Sequence, residues 1–155
     1  MTYKCKYFKI SELVHPDLLK QLPEATLWVI FDERLLRAAD IIRNTYGPCT
    51  INTPSLDSCG FVPFNSGREA KFSPHKFARG LDLHIVSIEK EAAKITDANQ
   101  RKKFKAKEYN KVRERLMLDQ GLTFLNFEYK SANYPDGITW LHIDTFSRPN
   151  RLFNA

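Results

Sequence analysis

The stretch "SPHKFARGLDLHI", residues 73–85, decides how the rest of the chain reads. It passes from loop into an alternating apolar run, and it carries His75 and Asp82 seven positions apart with two small residues, Ala78 and Gly80, between them. The alternation makes "RGLDLHIVS" a strand, with Leu81, Leu83 and Ile85 on one face and Asp82 and His84 on the other. An imidazole before a strand and a carboxylate just inside it can converge on one point only if nothing bulky intervenes. Ala78 and Gly80 meet that condition.

Working outward, "FDERLLRAADIIRNTYG" is the clearest helix. Asp32 caps it, Leu35, Leu36, Ala39, Ile42 and Tyr46 keep helical spacing, and Gly47-Pro48 stops it. "CTINT" reads as a short strand, and residues 54–74, rich in Pro, Ser, Gly and Asn, as a loop long enough to be functional. "ISELVHPDLLKQLP" predicts a short Pro-interrupted helix capped by Ser11, and Trp28 and Phe31 are assigned to the core. Downstream, Asp97 to Leu118 forms a long basic helix with Tyr109, Val112 and Leu116 on its inner face. "LTFLNFEYK" and "TWLHIDT" are two further strands, joined by the loop "SANYPDGI". Without regular βαβ alternation the expected class is α+β: a single domain over residues 1–155, with helices packed on the apolar face of a small antiparallel sheet.

In these later strands Asn126 and Glu128 share a face, as do Trp140, His142 and Asp144. If all three strands lie in one sheet, Asp82, His84, Glu128, His142 and Asp144 gather on one surface, and His75 enters from the loop. The wet face of an ordinary antiparallel sheet shows the same alternation. Against that, three of the four histidines fall in this small set, and histidine with aspartate is what zinc takes as ligands.

The chain has 155 residues, enough for one real core, and a net charge of +6 that favours polyanionic partners. Arg101, Lys102, Lys103, Lys105, Lys107, Lys111, Arg113 and Arg115 crowd the basic helix. They read as a solvated face, as phosphate contacts, or as adhesion to an anionic cell wall. No helix-turn-helix, zinc-finger or RNP-type signature accompanies them, which disfavours nucleic acid. No apolar run approaches the roughly 20 residues of a bilayer span, and "MTYKCKYFKI" has no signal-like core. Cys5, Cys49 and Cys59 share no metal-type spacing and fit buried thiols in a reducing compartment. The expectation is a cytoplasmic monomer without a membrane span. Cys59, near His75, is a further candidate ligand or nucleophile, though it lacks a matched Cys-His arrangement.

"SPHKFARGLD" resembles the S-x-H-x-x-G-x-A-x-D signature of the zinc D-Ala-D-Ala carboxypeptidases and L-alanyl-D-glutamate endopeptidases, whose fold is shared with hedgehog domains. "WLHID" is similar to the family's second motif, a Trp-x-His near the C-terminus. "FDERLLRAADIIRNTYGPCTIN" resembles the helix-strand entry of small phage-encoded members, so the likeness covers residues 28–146. It implies Zn2+ held by His75, Asp82 and His142, hydrolysis of peptidoglycan stem peptides, and release of the enzyme onto the wall as an endolysin. Ala78 and Gly80 exchange the family's Gly and Ala. Thr139 stands where many members carry the general base, three positions before the last histidine, and Val62 where the family has an arginine for the oxyanion. Glu128 takes the base's role in this reading, with Asp136 and Asp144 as rivals, and Arg68 takes the arginine's. A non-catalytic binding or virion protein on the same zinc fold, and a basic nucleic-acid-binding module, are the alternatives.

Overall fold

The computed structural model describes residues 2–51, 59–67 and 72–154. The N-terminal segment forms three short helices, α1 (Ile10–Leu13), α2 (Pro16–Gln21) and α3 (Glu24–Ile30). Ser11 lies inside α1 rather than capping it. Pro16 opens α2, where its missing N–H costs nothing, and His15 Nδ1 accepts from the Asp17 amide at 3.2 Å. Trp28 on α3, and Phe31 just after it, are buried as expected.

Helix α4 (Glu33–Tyr46) follows the sequence reading closely. Asp32 accepts from the Arg34 amide at 3.0 Å, and Leu35, Leu36, Ala39 and Ile42 are buried. Gly47 ends the helix at φ +84°, a left-handed value that only glycine adopts freely. Strand β1 (Cys49–Ile51) comes next, then β2 (Gly80–Ile85). Alternation alone would carry β2 on through Val86 and Ser87. Instead the chain turns into α5 (Val86–Ala93), because "SIEKEAA" is rich in helix formers and the Val86 amide is taken by Pro48 O at 2.9 Å.

Helix α6 (Ala98–Met117) starts at the predicted cap, Asp97, and buries Tyr109, Val112 and Leu116. Two of its cations depart from a solvated face. Arg113 is 1% exposed, and Lys105 pairs with Glu89 of α5 at 2.8 Å. Burial pushes the Arg113 guanidinium down to about 10. It bonds to Asn110 Oδ1 at 2.6 Å and to the carbonyls of Ile138 and Trp140, so it staples the loop before the last central strand onto the helix.

Strands β3 (Asn126–Lys130), β4 (Leu141–Asp144) and β5 (Leu152–Asn154) complete a five-stranded sheet in the order β1-β2-β4-β3-β5. The protein is α+β, but the sheet is mixed rather than antiparallel. After β4 the chain reverses and runs parallel to β3 along its outer edge. Three residues with no alternation signal gave no sequence warning of β5. Leu81, Leu83, Leu141, Ile143 and Phe127 form the apolar face and join the inner residues of α4 and α6 in one core. Among the described residues, no helix is long and apolar enough to cross a membrane, and no disulfide joins Cys5, Cys49 and Cys59.

Candidate metal centre

The opposite face of the sheet carries the polar set. Asp82 on β2 and His142 on β4 are direct cross-strand partners in an antiparallel pair. His75 arrives from a 3-10 turn at Pro74–Phe77, which ends at Ala78 with φ +52°. That left-handed conformation is strained for alanine and free for glycine, which gives a physical reason for a glycine at this place. Gly80 is required by packing: a Cβ there would lie 2.8 Å from Pro74 Cβ and 3.4 Å from the His75 ring.

His75, Asp82 and His142 are all buried, and one ligand atom from each lies within 4.8 Å of the others. Their partners select which atoms face inward. His75 Nδ1 donates to the Cys59 carbonyl at 2.8 Å, so Nε2 is the nitrogen directed at Asp82 Oδ2, 3.5 Å away. His142 Nε2 faces Asp144 Oδ2 at 3.3 Å, which leaves Nδ1 against Asp82 Oδ1 at 2.7 Å. Two imidazole nitrogens and one carboxylate, each imidazole held from behind by an oxygen, could hold a metal ion.

The electrostatics agree. Burial works to raise the Asp82 carboxyl, yet the adjacent His75 and His142 hold it well below the usual range. Burial works to lower His142, yet its bonds to Asp144 and Asp82 lift it to about 9. His142 thus lies between the carboxylates of Asp82 and Asp144.

These residues form the floor of a cleft of about 350 Å³ whose walls include Ser73, Glu128, Trp140, Arg148 and Phe153. Glu128 is half-buried, and desolvation, with Asp82 adding to it, raises its carboxyl above the ordinary value. Of its rivals, Asp136 lines a different pocket beside Lys102 and Lys103, and Asp144 is fully buried and committed to His142, Asn126 and Arg148. His84 bonds to Glu89 at 3.2 Å, outside the cluster. Cys59 meets His75 through its backbone carbonyl, and its buried thiol lies 3.4 Å from Phe61 O. Arg68 lies outside the described residues. Val62 is buried, its amide bonded to His75 O at 3.1 Å.

Sequence reasoning missed Arg148 and Phe153. The only available sign was an arginine four positions after Asp144, just before Pro149. Comparison with family models, curated proteins and solved structures finds no match to this chain.

Proposed function

We propose that this chain is a zinc-dependent peptidase that cuts peptidoglycan stem peptides, in the manner of an endolysin released onto the wall. The observation that carries the reading is the convergence of His75, Asp82 and His142 at the floor of a cleft that Glu128 also lines. Three such ligands leave one position open, which is the arrangement of catalytic rather than structural zinc. A bound zinc would serve as a Lewis acid that polarises a carbonyl and acidifies water. Glu128, its carboxyl raised by burial, takes the proton of the attacking water and delivers it to the leaving amine. Arg148 also lines the cleft, with its Nε and Nη2 already bonded to Asp144. The substrate class rests on the likeness of "SPHKFARGLD" and "WLHID" to the peptidase motifs.

A binding or virion protein that keeps the metal but not turnover is the second reading. Thr139 favours it, because the position three before His142 faces the pocket beside Lys102 and not the cleft. Zinc content of the purified chain, measured together with peptide release from sacculi, separates the two. Zinc with release supports the peptidase, zinc without release selects the second reading, and absence of zinc uptake sinks both.

A further inference from the structure

We infer that the segment after β4 belongs to the metal centre, with Arg148 as a positioning residue that fixes His142 through Asp144; this rests on the metal-site reading above. Asp144 is 0% exposed, and both of its oxygens are occupied. Oδ1 accepts from Asn126 Nδ2 at 2.9 Å, the Phe146 amide at 3.0 Å and Arg148 Nε at 3.2 Å. Oδ2 accepts from Arg148 Nη2 at 2.8 Å and Nε at 3.0 Å, and faces His142 Nε2 at 3.3 Å. Arg148 is thus the other partner of the one oxygen that holds the imidazole.

A planar guanidinium that grips a carboxylate by two nitrogens fixes its plane as well as its position. Arg148 is itself held, because its guanidinium stacks over the Phe153 ring at 3.8 Å from the centroid. Strand β5 delivers Phe153 opposite Glu128, and the same ring meets His142 edge-on at 6.1 Å and 87°. The C-terminal strap therefore touches the imidazole by two routes. One fixes which nitrogen carries hydrogen toward Asp144, and the other limits rotation of the ring. Exposed ion pairs contribute little, but this one fastens a fully buried carboxylate. Without Arg148, Oδ2 keeps only His142, and the carboxylate is free to pivot about its remaining Oδ1 bonds. Nδ1 then loses its fixed aim at Asp82.

Two measurements on the full chain test this. The first is zinc affinity, by competition with a chromophoric chelator; the second is solvent exchange of the His142 ring N–H in the metal-free protein, by NMR. Arg148→Gln should weaken zinc binding by roughly ten- to a hundredfold, the usual effect of removing such a support, and should speed exchange at His142 while leaving the His75 ring signals in place. Arg148→Lys keeps the charge but not the fork, so it should recover only part of the affinity; it also carries the test if Arg148→Gln fails to fold. Wild-type affinity and wild-type exchange in both variants would overturn the proposal while leaving the metal reading intact. A wild-type chain that takes up no zinc would overturn both.

Discussion

Asp82 and His142 face each other across β2 and β4, with Asp82 Oδ1 and His142 Nδ1 2.7 Å apart. The candidate metal centre is therefore a property of strand register. Slipping β4 by one residue would send His142 to the core side and bring Leu141 or Ile143 to the cleft. Leu81 paired with Ile143, and Leu83 with Leu141, hold the register because both pairs are buried in the core.

The ligand set predicts about one zinc per chain, as for a site of three protein ligands. Replacing His75, Asp82 or His142 with Ala should each remove most of the bound metal, read by elemental analysis after dialysis. Full zinc content in all three variants would show that the ion, if present, sits elsewhere.

Glu128→Gln should retain zinc and the fold but slow peptide hydrolysis by about a hundredfold or more, the scale of losing a positioned base. Asp136→Asn, in the neighbouring pocket, should leave the rate unchanged. Wild-type turnover in the Glu128→Gln variant would remove Glu128 from the proposed chemistry.

Gly80→Ala places a methyl 2.8 Å from Pro74 Cβ and against the His75 ring. Overpacking of this kind costs about 1–3 kcal/mol, and here it should also displace His75 and weaken zinc uptake. Ala78→Gly makes the useful contrast. It relieves a left-handed alanine while adding freedom to the unfolded chain, so its denaturation midpoint should stay near wild type. If Gly80→Ala melts and binds zinc like wild type, the close approach at the turn is not a constraint.

Glu89 links α5 to α6 through Lys105 at 2.8 Å and Tyr109 at 2.8 Å, and to β2 through His84 at 3.2 Å. Burial acts to raise its carboxyl, but these partners together bring it from 4.5 down to about 2. A folded value below the unfolded one gives stability that is complete above about 4.5 and lost as pH falls toward 2. Glu89→Gln should therefore be less stable than wild type at neutral pH, and the gap should close in acid. Urea melts at stepped pH check this, and a gap that stays constant down to acid would contradict it.

Lys105 belongs to that internal cluster, so the basic helix divides into structural and surface charges. Lys102 and Lys103 are exposed beside Tyr134, in a pocket of about 270 Å³. Replacing both with Gln should weaken binding to sacculi at low salt, and the loss should shrink as salt rises, because exposed charges act over a Debye length of about 8 Å at physiological ionic strength. Hydrolysis of a short soluble peptide should not change. A large drop in that rate with zinc retained would connect this helix to the cleft, and lost DNA or RNA retention with sacculus binding intact would favour the nucleic-acid reading.

The candidate polar face was legible in the sequence from two local rules, while narrowing it to His75, Asp82 and His142 rested on the motif resemblance. Alternation in "GLDLHIV" and "WLHID" assigns Asp82 and His142 to the face opposite the leucines, and two small residues leave room for the His75 turn. Helix α4 was legible for the same reason: its cap, its stripe and its stop all lie within one segment. What alternation could not supply was which neighbour each polar group meets. His84 and Asp144 looked equivalent on paper. His84 lies opposite Thr50 of β1 and turned to Glu89 on the helix that follows β2, whereas Asp144 kept its same-strand neighbour His142 and gained Asn126 because strand order set β3 beside β4. Arg113 and Lys105 read as surface cations in a basic run, yet helix packing put one inside and paired the other with Glu89. Arg148 and Phe153 reach the cleft only through the reversal after β4 and a parallel pairing with β3. Side-chain direction along one element is set by backbone geometry that repeats every few residues, so a sequence carries it openly. Contacts between elements depend on strand order, register and helix docking, which free energy summed over the whole core selects, and no single stretch records them.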